Sequence, residues 1–296
     1  TGNVAGNLTG TVATATQNSI TTMTGLTAAG ATGTATSVAG IPFFSDISNN
    51  SIYTHDVSGT DSTAEGNTAY GIGALDAVTT GDYNTAIGFG ALSAQQAGEG
   101  NVAIGQAALN ANLASNNLAV GKSAMIANTT GTRNIAIGNR ALDLQDTEND
   151  NLAIGYEAMT TDNAGGQENT AVGNYALDAL TSGDSNIAIG YNALTGLTTG
   201  SNNTVVGKDA AAGAVMTGSD NTFMGKDAGQ AITSAANNVI VGSAAGIAVT
   251  TGGNNVVVGM EAGGALTSGT ENVAVGFQAM KLVTTASSSV AIGNEA

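Results

Sequence analysis

His55 is the only histidine in the 296-residue chain and there is no cysteine. A histidine dyad, a paired-histidine metal site and thiolate chemistry are therefore all out of reach, and a single histidine reads as structural or solvated. Carboxylates are more plentiful. Glycoside hydrolysis needs two of them at a defined separation, and Glu148 with Asp150, or Asp76 with Asp82, are the pairs on offer. Most acids fall among Gly, Ser, Thr and Asn, the residues that turns require, where solvated charge is the simpler account. Calcium would call for a dense Asp ladder or an EF-hand loop, and neither occurs. Glycines recur, yet no GxxxxGK[ST] or GxGxxG leads from a strand into a helix, so no phosphate cradle is expected. The residues name no catalytic group, cofactor or metal ligand, and the expectation is a protein that is not an enzyme.

Whatever these side chains do must be set by the elements that carry them. Gly contributes 43 residues, with 5 Phe, 6 Tyr and no Trp, so any core is thin. Only 9% of residues are charged, and Val and Ile recur at regular places, which favours folding over disorder. A net charge of −16 opposes binding to phosphate backbones or anionic headgroups, so no nucleic-acid partner is expected. No stretch approaches the ~20 apolar residues of a membrane span. Thr1 in place of an initiating Met suggests a piece of a longer protein.

From Asn67 onward the chain repeats. Segments starting at Asn67, Asn84, Asn101 and so on to Ser289 read N-x-A/V-I/V-G-x-x-A-L, with starts 16 to 18 residues apart. With the first residue as position zero, Gly holds position four and Ala position seven in all 14 copies. A 17-residue unit is too short for a helix pair, which needs roughly 30 residues or more. It suits one β-coil: a short strand at positions one to three, a tight turn at Gly, a second short strand at positions seven and eight, then a polar loop. Stacked at about 4.8 Å per coil, the copies predict a rod of roughly 65 Å. The fold class expected is all-β, a parallel β-solenoid or β-roll of about fourteen 17-residue coils. Its repeat residues are Asn84, Ala86, Ile87, Gly88, Ala91 and Leu92 in one copy, Asn134, Ile137, Gly138 and Ala141 in a second, and Asn186, Ile189, Gly190 and Ala193 in a third. The Asn at position zero suggests an amide ladder along the rod.

Strand alternation places positions one and three on one face and position two on the other. The first pair, such as Val102 with Ile104, predicts the core. Position two, Ala in ten copies and Val205, Phe223, Ile240 or Val257 in four, is apolar as well, which predicts a second buried face covered by another copy of the chain. Positions two and eight exchange volume: Leu or Met at eight accompanies Ala at two, whereas Ala211, Gly229, Gly246 and Gly263 accompany the four bulky residues. Close packing then puts the two positions in one layer. Residues 1–66 lack the repeat. Residues 1–40 read as a thin Thr-, Gly- and Ala-rich shaft, 41–66 as a junction that caps the solenoid, and 67–296 as the repeat region.

The runs NTAIG at 84–88, NIAIG at 134–138 and SVAIG at 289–293 resemble the head repeats of YadA-like trimeric autotransporter adhesins, although the spacing near 17 is longer than that family's coil. Nearly the whole chain is similar to bacteriophage tail fibres, marine phages above all, in which NTAIG-x-x-AL arrays follow sequences like NLTGT at 7–11 and SIYTH at 51–55. The resemblance implies a left-handed parallel β-roll in a tight homotrimer, with Val and Ile inside. It further implies a structural segment of a virion tail fibre that spans distance and supports attachment to a host cell-surface receptor or glycan through a tip elsewhere, joined to other tail or fibre proteins. The alternative is a bacterial trimeric surface adhesin or an extracellular matrix filament at the cell surface.

Overall fold

The computed structural model describes residues 36–38, 41–46, 51–53, 63–144, 147–161, 166–213 and 215–296. His55 and nearly all of the shaft expected over 1–40 lie outside them. Among the described residues there is no helix. Three strands, β1 (Thr36–Val38), β2 (Ile41–Asp46) and β3 (Ser51–Tyr53), pair antiparallel in sequence, and β3 then pairs parallel with β4 (Thr68–Tyr70) through Ile52 and Thr68. From β4 onward fourteen three-residue strands, ending at Val290–Ile292, stack in one parallel sheet with position matched to position. The molecule is a β-solenoid of about thirteen turns, one strand per turn, roughly 60 Å long at the usual strand spacing.

Each strand is short because Gly ends it. The position-four glycines have φ between +131° and +148° from Gly71 to Gly293, a region closed to other residues. A Cβ on Gly155 would also collide with the carbonyl of Gly173 one coil on, and the same holds along the column from Gly71 to Gly276. Coil then follows coil with no side chain between the backbones.

Two sequence expectations need correction. Positions seven and eight do not form a second strand. They lie in turns, because positions six and eight are both left-handed: φ is +54° at Leu92 and +53° at Leu142, and +57° at Arg140 between Gly138 and Ala141. A strand would send neighbouring side chains to opposite faces, whereas Ala91 and Leu92 are both fully buried. Coils still bond to one another here, Leu92 N–H donating to Ala108 O at 2.9 Å.

The faces are also exchanged relative to expectation. Ala136 is wholly buried within its own chain, while Ile135 and Ile137 on either side are each 37% exposed. Position two is the interior and positions one and three point outward in the pattern exposed or half-buried, buried, exposed or half-buried, from the first repeat strand to the thirteenth; in the last, at the open end of the stack, Ala291 is half-buried. The interior is narrow because a coil of about 17 residues closes tightly on itself. Ala at two, Ala at seven and Leu or Met at eight fill it, with Val78, Leu180, Leu197, Ile232, Val249 and Leu266 from the far wall.

Volume exchange between positions two and eight is explained directly. A Cβ on Gly229 would touch the Phe223 ring at 3.4 Å, one on Gly246 would reach Ile240 Cδ1 at 2.8 Å, and one on Gly263 would reach Val257 Cγ1 at 3.1 Å. Both positions share one layer inside a single chain.

Candidate interaction surface

Buried amides hold the stack in register. Asn84 N–H donates to Asn67 Oδ1 at 2.8 Å, Asn101 N–H to Asn84 Oδ1 at 2.9 Å, and the chain of bonds runs to Ser289 N–H on Asn272 Oδ1 at 3.1 Å. Each amide nitrogen donates inward to a loop carbonyl, Asn134 Nδ2 to Glu148 O at 2.7 Å and Asn186 Nδ2 to Gly200 O at 2.9 Å. The Asn residues are at most 1% exposed, so each satisfies two backbone groups that would otherwise be buried without partners. A hydroxyl row at position twelve, absent from the sequence reading, does the same on the far side: Thr233 Oγ1 donates to Thr250 O at 2.9 Å and Thr250 Oγ1 to Thr267 O at 3.2 Å. Its signal was available as a Thr column at 181, 198, 233, 250, 267 and 284.

The acid pairs weighed for hydrolysis are engaged otherwise. Asp82 Oδ1 accepts the Glu65 N–H at 2.8 Å, tying one coil to the next. Asp150 takes two bonds from Arg133, Nε at 2.6 Å and Nη2 at 2.5 Å, and that guanidinium holds its carboxyl below the ordinary carboxylate value. Glu148 is 4% exposed and accepts from Thr147. Among the described residues no group of three acids or histidines is placed to hold a metal ion.

What remains open on the outside is a stripe. Its rows are Val102, Leu118, Ile135, Leu152 and Ile187 at position one, and Ile87, Ile104, Ile137 and Ile189 at position three. Position three is apolar in all 14 copies; position one is apolar in nine and Thr in five. Two outward side chains on each of fourteen strands make 28 residues in a band one strand, about 10 Å, wide. Scattered apolar residues on a surface mean little, whereas large contiguous apolar surfaces are characteristic of contact faces in general.

The stripe's two edges differ. Before each strand, positions −2 and −1 carry eight acids, among them Asp82, Glu99, Glu168 and Asp220, against the single base Arg133. Tyr83 on this edge donates its hydroxyl to Glu65 Oε1 at 3.0 Å, and that bond, with the charges of Glu65, Asp82 and Glu99, raises the phenol pKa. After each strand, position five carries Lys122, Lys208 and Lys226 and no acid, all three lysines exposed, and position six carries Arg140 against Glu157, Asp209, Asp227, Glu261 and Glu295, so this edge is mixed in charge where the other is acidic. Lys208 and Lys226 meet Asp209 and Asp227 at 3.3 and 2.9 Å, one residue further from the stripe. This edge also holds an aromatic row, Tyr156 edge-on to Tyr175 at 5.5 Å and Tyr175 to Tyr191 at 6.0 Å, with the Lys208 ammonium 5.9 Å from the Tyr191 ring. Neither edge asymmetry was drawn from the sequence, although the lysine column is legible once position five is aligned.

No protein-family model, curated protein or solved structure matches this chain.

Proposed function

We propose that this protein is a structural fibre segment, a homotrimeric rod belonging to a virion tail fibre, which spans distance and supports host attachment through parts of the fibre beyond this chain. The observation that carries the reading is the single parallel ladder of fourteen matched strands with an apolar stripe along its whole length. Such a ladder is a spacer: each coil contacts only its neighbours, so length grows with repeat number and no concave site is required. A strand apolar on both faces asks for cover on both. The interior covers position two, which leaves the 28 residues at positions one and three for sister chains. The resemblance of NTAIG arrays to tail-fibre and adhesin repeats supports a fibre over other rods, and the acid-rich, base-poor surface disfavours nucleic acid.

Immunogold electron microscopy of the native source tests the assignment. Label on fibres projecting from virion tails is the expected result. Label on filaments rooted in a cell envelope would replace it with the surface-adhesin reading, and label confined to the cell interior would remove both.

A further inference from the structure

We propose that the coil at residues 101–116, with the interfaces on either side of it, is a built-in weak joint of the rod, the place where the stack opens first. The joint lies in the interior of one chain and holds for whatever fibre the chain belongs to. Under load it yields before the coils that flank it.

Each coil of a solenoid contacts only its neighbours, so the stack opens at its weakest interface. Two contacts vary from coil to coil, the inward residue at position eleven and the clamp at position twelve. Further along the rod the wall at position eleven is Leu180, Leu197, Ile232, Val249 and Leu266, all fully buried. In the second, third and fourth coils the same place holds Gln95, Asn112 and Asn128, equally buried. Asn112 Nδ2 donates to Gln95 Oε1 and Asn128 Nδ2 to Asn112 Oδ1, both at 2.6 Å. The row is unfinished at both ends, because Gln95 Nε2 and Asn128 Oδ1 are buried without partners. Below Gln95 the column continues with Val78, whose side chain has no acceptor to offer.

The backbone does not depend on these amides. Asn112 Nδ2 and Asn128 Nδ2 also reach Ala114 O at 2.9 Å and Gly131 O at 3.1 Å, but those carbonyls already accept from Asn101 Nδ2 at 2.8 Å and Asn117 Nδ2 at 2.7 Å. Asn117 Nδ2 leans on Asn112 Oδ1 at 3.2 Å as well, and keeps Gly131 O without it. Where Leu197 stands at position eleven, Gly200 O is served by Asn186 Nδ2 at 2.9 Å. A bond between two buried amides does little more than replace the water each has lost, and an unpaired atom replaces nothing. A buried Leu is favourable outright. Amide-walled coils therefore cohere less than Leu-walled ones.

The clamp fails at the same place. Thr181, Thr198, Thr233, Thr250 and Thr267 at position twelve each give N–H and hydroxyl to one carbonyl of the next coil; for Thr233 both reach Thr250 O at 2.9 Å. Thr79 does the same to Gln96 O, one interface below the joint. Gln96, which is exposed, makes neither bond to the coil that follows, and Leu113 gives only its N–H, to Thr129 O at 2.8 Å. Both deficits meet at residues 101–116, the shortest coil from one position-zero residue to the next.

A uniform rod would fray from its bare end, since β3 covers the first repeat strand whereas Val290 and Ile292 of the last are 70% and 68% exposed. Hydrogen exchange of the full chain, read coil by coil by mass spectrometry, compares residues 101–116 with 255–271, each the third coil from its end of the repeat region. The expected result is exchange at least tenfold faster at 101–116. Equal or slower exchange there would overturn the joint. Gln95→Leu, Asn112→Leu and Asn128→Leu together supply the wall of the later coils; the triple variant is expected to slow exchange at 101–116 at least tenfold and to raise the melting temperature. A triple variant that exchanges no slower there, or that does not fold, would make the amide row a stabilising ladder and overturn the joint as well. Gln96→Thr with Leu113→Thr restores the clamp by itself and is expected to slow exchange severalfold across both interfaces, and no change would overturn the clamp's part in it. All of these outcomes leave the fibre assignment to the microscopy.

Discussion

Gly155 and Gly73 look alike in the sequence and are under different constraints. Gly155 has φ +144° and faces the Gly173 carbonyl with no room for a Cβ. Gly73 has φ +67°, its nearest neighbour would be 3.9 Å from an added Cβ, and the equivalent position in another coil is Asn192 at φ +52°. Gly155→Ala combines a backbone strain of about 1–3 kcal/mol with a steric displacement of the next coil. It is expected to lower the melting temperature markedly and to speed amide exchange in the coils on either side. Gly73→Asn enters a left-handed site that Asn tolerates and is expected to cost under about 1 kcal/mol. Equal melting temperatures for the two variants would contradict this division. The amide row makes a second demand on single residues. Asn151 Oδ1 accepts the Asn169 N–H at 2.9 Å and its Nδ2 donates to Gly166 O at 3.0 Å. Asn151→Ala strands two buried backbone groups, each worth about 1–3 kcal/mol when unsatisfied. An unchanged denaturation midpoint would show the ladder to be ornamental.

Within a coil the unit of packing is the pair at positions two and eight. Phe223→Ala leaves a void that Gly229 cannot fill, with an expected loss of about 3–5 kcal/mol. Gly229→Leu alone drives a side chain into the Phe223 ring, with an expected loss of about 1–3 kcal/mol from overpacking. Together they recreate the Ala188 with Leu194 pairing found two coils away, and Leu is at home at φ near +58° there. The double variant is therefore expected to lie within about 1.5 kcal/mol of the native chain, giving a large favourable coupling in a double-mutant cycle. Additive losses would separate the two side chains. This exchange was legible by comparing copies, as were the period, the Gly column and the strand at positions one to three. Which face is inside was not. Alternation defines two faces but assigns neither, and hydrophobicity favoured Val and Ile over Ala, although Leu92 and Leu142 already supply the interior volume that Ala86 and Ala136 leave open. The missing second strand was equally hidden. A left-handed Leu is uncommon enough that no propensity announces it, and only the repeating closure of the coil makes it recur at Leu75, Leu92, Leu109 and Leu142.

At the scale of the rod, stability is carried by contacts between neighbouring coils, so the molecule has a natural cutting rule. Removing residues 221–254 deletes two whole coils and sets the coil that starts at Asn203 beneath the one that starts at Asn255. Every bond across the new junction has a native counterpart. Asn203 Oδ1, which accepts the Asn221 N–H at 3.1 Å, would accept that of Asn255, and Val205 would lie under Val257 as it now lies under Phe223. Removing residues 221–246 instead leaves the sequence half a coil out of phase, so the Asn row, the Gly column and the buried pair all lose their partners at one level. The first deletion is expected to keep the native circular dichroism per residue and shorten the rod by about 10 Å in small-angle scattering. The second, although smaller, is expected to lower the melting temperature far more and to raise proteolysis at the junction. Should both deletions behave alike, coil-to-coil register would not be what stabilises this rod, because only register distinguishes them.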